Sequence, residues 1–439
     1  MAESSNTARL IIISDLHIGG DIEMENFECE KELIAFLEYL EKQNQNIELI
    51  ILGDFFDLWN YEKENTDKLT ITIKKWGELF ETIRKFGEKN KITLIPGNHD
   101  HELVYNKKYQ NELEKYNITL DINQYFKREL NYNGKQFRVI GEHGNQVEPG
   151  SAFPDFNMPT DSSLSYHIYN LFVHKFLKIG NEKKRPGWLK GLENVEVELI
   201  PYWLISKYFY HEIGPILRMI IVPMLILFSI AIPYFIFDLI TDYYQPKFLM
   251  PLLNFMDTNL FMKAVIFIIY FDMVVVILLF ILSFLRKDFY KRLKSYGVVS
   301  LSEIIVSKHK AYMEKAAEVT AGVNPYKQKA DMYVTGHTHS AELKKDEKNS
   351  FIFGDTGSWR QLIHRMNAYF SFPPVFYPYF ELTYLSLSTD TKDLKIELRS
   401  WPKEFTPNLT ILEKIAIKRA KTAPKPVLHD KLIKEIVVS

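Results

Sequence analysis

The chain has 439 residues, more than one compact core ordinarily serves, so more than one structural unit is expected. Its 54 lysines and arginines against 55 aspartates and glutamates leave a formal net charge of -1, which argues against whole-chain attraction to nucleic acid. A single cysteine, Cys29, excludes an intramolecular disulfide and points to a reducing compartment.

The apolar run before Ser14 is too short for the core of a secretory signal. "ARLIIISDLH" reads as a buried strand that ends in polar residues. "CEKELIAFLEYLEK", Cys29 to Lys42, has apolar positions at helical spacing. "IELIILGD" is the next strand, "LTITIKKWGELFETIRKFGEK" the next helix, "KITLIPGNHD" a third strand and "FRVIGEHG" a fourth. This alternation predicts an α/β core with helices on the sheet faces. The pattern resumes with "DMYVTGHTHS", "NSFIFGDTGSW", "YFELTYLSLST" and "DLKIELRSW", in which "GDTGSW" reads as a turn. The core is therefore expected in two parts, 8–150 and 323–402. A helical insertion over 151–322 separates them, and a basic tail over 403–439 follows.

Inside the insertion, residues 216–237 and 264–285 are apolar over a length that matches a hydrocarbon core about 30 Å thick. They predict a two-helix transmembrane hairpin. Basic residues flank it, as in Arg286 to Lys294, while the segment between carries Asp238, Asp242 and Asp257. By the positive-inside rule both chain ends lie in the cytoplasm. The expectation is a multi-pass membrane protein with its catalytic domain on the cytoplasmic side and the phospholipid membrane as a partner. Asp272, inside the second span, would need a partner at that depth. Lys183, Lys184, Arg185 and Lys190 read as positive-inside charge or as a phosphate-binding cluster.

Polar residues collect where the strands end. Asp15 and His17 follow the first strand, Asp54 the second, and Asn98, His99 and Asp100 the third. His143 follows the fourth, and His337 and His339 follow the strand after the insertion. In open α/β sheets functional groups gather beyond the carboxyl ends of the strands. Residues two apart in extended chain point the same way, so Asp15 and His17, and His337 and His339, can converge. Imidazole, carboxylate and amide oxygen suit manganese, iron or zinc. Each block alone is weak, but all five in order predict a metal site.

These blocks, Asp15-Leu16-His17, Gly53-Asp54, Gly97-Asn98-His99-Asp100, His143-Gly144 and Gly336-His337-Thr338-His339, resemble the calcineurin-like metallophosphoesterase superfamily. The resemblance implies two facing mixed sheets flanked by helices in four layers, here with an inserted helical cap. It implies two divalent metal ions, manganese first and iron or zinc as alternatives. Asp15, His17, Asp54 and His339 would hold one, and Asp54, Asn98, His143 and His337 the other, with Asp54 bridging. His99 would stabilise or protonate the leaving group and Asp100 would orient His99. The implied reaction is hydrolysis of a phosphoester or pyrophosphate by metal-activated hydroxide.

The helical insertion before "GHTH" and the stretch "LGDFFDLW" resemble UDP-2,3-diacylglucosamine pyrophosphatases, which implies a lipid-linked substrate such as UDP-diacylglucosamine. The alternative is a phosphodiesterase for a soluble nucleotide or nucleic acid, with the hairpin only as anchor. The lack of a long Lys/Arg–aromatic stripe argues against nucleic acid. A non-catalytic scaffold would be expected to have lost ligand positions, and all are filled here. The oligomeric state is left open by the sequence.

Overall fold

The structure is a computed structural model and describes residues 9–20, 27–43, 46–61, 67–174, 191–195, 199–213, 250–260, 301–369, 372–389, 392–417 and 423–438, with scattered positions between 233 and 274. Strands β1 (Arg9–Ile13), β2 (Ile47–Leu52), β3 (Lys91–Ile95) and β4 (Ile118–Leu120) alternate with helices α1 (Glu30–Glu41), α2 (Lys68–Lys75), α3 (Gly77–Lys89) and α4 (Lys107–Glu114). A hairpin of β5 (Tyr125–Tyr132) and β6 (Lys135–Glu142) follows. The insertion contributes α5 (Leu164–Ile168), α6 (Ile200–Lys207), α7 (Met250–Thr258) and α8 (Leu301–Ala321). Then come β7 (Met332–Thr335), β8 (Glu342–Asp346), β9 (Phe351–Asp355), a hairpin of β10 (Gln361–Met366) and β11 (Val375–Phe380), β12 (Leu382–Thr389) and β13 (Leu394–Trp401). Helix α9 (Ile411–Ile417) and strand β14 (Lys431–Val438) end the described chain.

The strands form a seven-stranded sheet in the order β14-β13-β12-β1-β2-β3-β4 and a five-stranded sheet in the order β5-β6-β7-β9-β8. The side-chain period of two along a strand decides the layers. Leu10 and Ile12 of β1 face the second sheet and pack with Phe126, Val139, Met332 and Val334. Ile11 and Ile13, on the opposite face, pack with Phe36 and Leu40 of α1 and with Phe80 and Ile83 of α3. Tyr312, Ala316 and Val319 of α8 cover the outer face of the second sheet at Ile140, Tyr333 and Phe353. The result is two mixed sheets packed face to face with helices outside. Burying each such aliphatic side chain contributes about 1.5–3 kcal/mol.

Two details differ from the periodicity. The helix read through residues 69–89 breaks at Trp76, whose backbone leaves the helical region at φ -104°, ψ 44°. Its indole is buried and packs edge-on to Phe27, with ring centroids 6.1 Å apart. Tertiary burial here overrides a propensity worth only tenths of a kcal/mol per residue. In the basic tail, residues 411–417 form α9, and residues 431–438 pair antiparallel with β13 as β14.

The transmembrane hairpin is not supported. Among the described residues no helix is long and apolar enough to cross a membrane. The nine residues of α7 rise roughly 13 Å, less than half of a bilayer core. Helix α8 has 21 residues but carries Glu303, Lys308, Lys310, Glu314, Lys315 and Glu318. Charges at that density are too costly for hydrocarbon. Apart from a few positions, residues 216–237 and 264–285 lie outside the described residues, as do Asp272 and the cluster Lys183, Lys184, Arg185 and Lys190. The multi-pass placement, with a catalytic domain on the cytoplasmic side, is withdrawn together with the hairpin.

Candidate metal centre

The five strand ends meet. Loops after β1, β2 and β3 of one sheet and after β6 and β7 of the other bring six of the seven expected ligands, all but Asn98, into two groups. Their backbone is unusual. Asp15, His17, Asp54, His337 and His339 have φ of 56°, 53°, 50°, 66° and 56°, in the left-handed region. A non-glycine residue held there costs of order 1–3 kcal/mol, and such strain clusters at functional sites. Two glycines make the approach possible. A Cβ on Gly53 (φ +84°) would run into the His143 ring, and one on Gly97 into Asp54 Oδ1.

His339 Nε2 lies 3.2 Å from Asp15 Oδ1, and His143 Nε2 lies 3.2 Å from Asp54 Oδ2. His17 Nε2 sits between the two carboxylates, 3.8 Å from Asp15 Oδ1 and 3.7 Å from Asp54 Oδ2, too far for hydrogen bonds. Asp15, His17 and His339 form one group whose ligand atoms lie within 4.8 Å of one another, and Asp54, His143 and His337 form a second. Asn98, which precedes His99 in the chain, is buried.

Whether a metal fits is tested by the polar atoms left over. Asp15 Oδ1, both ring nitrogens of His17, Asn98 Oδ1 and His143 Nε2 are buried without a hydrogen-bond partner. A buried polar atom left unpaired costs about 1–3 kcal/mol. Those on Asp15, His17 and His143 belong to the two groups above, a donor set that suits divalent cations. The supporting bonds agree. His143 Nδ1 lies 2.9 Å from the Leu52 carbonyl, an acceptor, so Nδ1 carries the proton and Nε2 presents its lone pair inward. Asp15 Oδ2 accepts from the His337 N–H at 2.9 Å and from the Ser14 hydroxyl. Asp54 Oδ1 accepts from the His99 N–H at 2.8 Å. The residues therefore fit two divalent ions.

The electrostatics point the same way. Burial opposes ionisation of Asp15 and Asp54, yet the surrounding histidines hold both carboxyls below their usual range. Burial lowers His143, but Asp54 and Asp15 overcome it and raise the imidazole to about 10. Burial dominates at His339 and brings it to about 4. A field strong enough to hold a proton on His143 is a field that a cation satisfies.

His99 stands at the edge of the centre. Its Nδ1 is 3.0 Å from Asp57 Oδ1, and its ring is edge-on to His17 with centroids 4.6 Å apart. Asp100 faces the backbone instead of the His99 ring. Its Oδ1 accepts from the Gly97 N–H at 2.6 Å, and its Oδ2 accepts from the Phe55 and Phe56 N–H groups at 2.9 and 3.2 Å. Burial and the nearby Asp54 charge push the Asp100 carboxyl up to about 7. It ties the loop after β3 to the loop after β2.

Sequence reasoning did not single out Asp57, Trp59 or Glu148. Asp57 contacts both His99 and His17, the latter at 3.6 Å between Oδ2 and Nδ1. Burial raises it, but the two histidines hold it below the usual carboxylate range. Its signal was the second aspartate of "GDFFDLW". Trp59 of the same stretch stacks on His99. Glu148 lies 3.8 Å from His337 Nε2 and 3.4 Å from Lys308 Nζ. The "GDTGSW" turn touches the centre: the Trp359 N–H donates to the Asp15 carbonyl at 3.1 Å, and Ser14 Oγ lies 3.1 Å from the Gly357 carbonyl oxygen.

Residues 8–207 match the family model described as calcineurin-like phosphoesterase. That span holds Asp15 through His143, while His337 and His339 lie beyond it and return to the site through β7. Over those residues the chain is similar to calcineurin-like phosphoesterases. No curated protein matches the chain. Among solved structures, a single-mutant Vps29 from Entamoeba histolytica is 10% identical, covering 98% of this chain and 99% of that one, with a TM-score of 0.28. Vps29 from Chaetomium thermophilum is 8% identical over 92% and 95%, with a TM-score of 0.27. Nuclease MPE from Pseudomonas putida is 20% identical over 32% of this chain and 54% of that one, with a TM-score of 0.20. The chain therefore spans about half the length of that nuclease.

Proposed function

We propose that this metal-dependent phosphoester hydrolase cleaves a phosphodiester or pyrophosphate at the strand-end centre. In this reading Asp15, His17, Asp54 and His339 hold one ion, and Asp54, Asn98, His143 and His337 hold the other. Two divalent ions held there would polarise the phosphoryl oxygens and lower the pKa of an attacking water. The chain's own groups do the rest. Asp54 and Asp15 are fixed by backbone N–H groups, so they need not reorganise during the reaction. Asn98 adds an oxygen donor without adding charge. Asp57 accepts from His99 Nδ1–H and supports its doubly protonated form, so that the Nε2 proton passes to the leaving-group oxygen as its bond to phosphorus breaks and His99 ends as the neutral Nδ1–H tautomer. Asp100 keeps the His99 loop against the β2 loop.

The observation that carries this reading is the set of buried ligand atoms without partners on Asp15, His17, Asn98 and His143. The experiment is cleavage of a chromogenic phosphodiester by purified protein loaded with manganese, with metal content measured in parallel. Asp54→Ala and His337→Ala should lose activity to background and bind less metal. Near-normal turnover in both would overturn the assignment. A substrate panel of UDP-diacylglucosamine, CDP-lipids, prenyl pyrophosphates and cyclic nucleotides identifies the leaving group. An acyl requirement would assign a lipid-linked phosphoester, and its absence a soluble one.

A further inference from the structure

The insertion reaches the His99 side of the centre through one hydroxyl. Tyr169 follows α5, where the backbone widens into a π-helical turn over Tyr169–His174. Such turns are rare, and many of those known lie at functional sites. The segment is tied down just before it: Ser163 Oγ accepts from the Tyr166 N–H at 3.3 Å, and the Ser165 N–H donates to the Gly150 carbonyl at 2.8 Å. The Tyr169 hydroxyl donates to Asn60 Oδ1 across 109 positions of sequence. Asn60 Nδ2 donates to Asp57 Oδ2 at 2.6 Å. Asp57 Oδ1 in turn lies 3.0 Å from His99 Nδ1, and Oδ2 lies 3.6 Å from His17 Nδ1. Asn60 and Asp57 are both buried, so water is kept from the middle of this chain of bonds.

Charge fixes the direction of the chain. A carboxylate only accepts, so the Asn60 amide turns its NH2 toward Asp57 and its carbonyl toward Tyr169, whose hydroxyl is then the donor. The hydroxyl holds the amide, the amide holds Asp57 Oδ2, and Oδ1 is left for the imidazole. In a buried setting such bonds polarise one another and strengthen. The rings repeat the connection. Tyr169 is edge-on to His99 with centroids 6.2 Å apart and tilted against Trp59 at 6.1 Å, and Tyr166 is edge-on to Trp59 at 5.3 Å. We propose that Tyr169 is a positioning residue for His99, acting through Asn60 and Asp57, so that proton delivery to the leaving group requires the insertion to be seated against the loop after β2. Esters with basic leaving groups then depend on the seated insertion, and esters whose leaving groups depart as anions depend on it little. The proposal deepens the hydrolase reading and rests on it.

The test is steady-state cleavage, by manganese-loaded protein, of a series of aryl phosphodiesters whose leaving phenols differ in basicity. A general acid matters more as the leaving group becomes more basic. Tyr169→Phe removes the hydroxyl alone, so kcat should fall little for the least basic phenol and about tenfold for the most basic, at unchanged KM. In an Asn60→Ala background the same substitution should have no further effect, because residues that act through one another are not additive. A second readout is independent of turnover. In spectra of zinc-loaded protein with isotope-labelled histidine, the Nδ1 proton of His99, assigned by its loss in His99→Gln, should shift in Tyr169→Phe. An equal loss for every phenol, wild-type rates throughout, or an unmoved His99 proton overturns the proposal. If the wild type cleaves no diester while the His99 proton still moves, the hydrolase reading falls and the link from the insertion to His99 stands.

Discussion

Trp59 lies on His99 like a lid on a tray: the ring centroids are 3.9 Å apart and the planes 25° from parallel. The opposite constraint comes from Asp57, 3.0 Å from Nδ1. Together they fix both the tilt and the rotation of the imidazole, which in the proposed reaction faces the leaving group. Trp59 acts through His99 and is a positioning residue.

Trp59→Ala should therefore lower kcat by roughly tenfold while KM and metal content change little, since misplacing a catalytic group by about 1 Å costs up to a hundredfold. Trp59→Phe keeps an aromatic face and should restore most of the rate. Steady-state kinetics on the chromogenic diester read both. A wild-type kcat in Trp59→Ala would show that the stack does not position His99.

The strand-end ligands were legible because their physical causes are local. An apolar run that stops at Gly, Asp, Asn or His marks a buried strand running out into a polar cleft, and β1, β2, β3, β6 and β7 all end this way. The sheet order then brings Asp15 and His337 within a hydrogen bond across 322 positions of sequence, which no local pattern displays. Other features were hidden for the same reason. Strand β11 contains Pro378, a residue that argues against a strand. Strand β14 carries Lys431, Lys434 and Glu435 on an exposed sheet edge, so it lacks an apolar run. Asp57 owes its place in the site to tertiary neighbours, His99 and His17. The apolar stretches that read as spans report hydrophobicity alone, and hydrophobicity does not say what covers it.

Gly53 should be intolerant of any side chain. Its φ of +84° lies where L residues are strained, and a Cβ there would meet the His143 ring. Gly53→Ala should displace His143, lower metal content, and reduce Tm by roughly 2–10 °C for the 1–3 kcal/mol of strain expected. Gly77→Ala is the control, because a Cβ at Gly77 meets nothing within 4 Å. At that helical position alanine should be neutral or stabilising by up to about 1 kcal/mol. Full metal occupancy in Gly53→Ala would show that the loop accommodates a side chain.

Glu48 of β2 and Arg128 of β5 join the two sheets. The guanidinium meets the carboxylate with Nε at 2.9 and 3.0 Å and with Nη2 at 2.6 Å, and Thr93 and Lys91 lie at 3.2 and 3.5 Å. Glu48 is 1% exposed. Burial alone would raise its carboxyl, but the bonds from Arg128 bring it below the ordinary 4.5. A carboxyl depressed in the folded state contributes stability that is present above the unfolded value and is lost as pH falls through the folded one. Arg128→Met keeps the aliphatic stem and removes the partner, leaving a buried carboxylate that costs about 3–5 kcal/mol at neutral pH. Without the guanidinium the strongest influence that lowers the Glu48 carboxyl is gone and burial moves it upward, so the variant recovers stability by taking up a proton as pH falls. The gap in unfolding free energy between wild type and Arg128→Met should thus be widest near pH 7 and narrow below pH 4.5, as read by denaturant unfolding across the range. A gap that stays constant with pH would show that the pair holds the sheets by packing and not by charge.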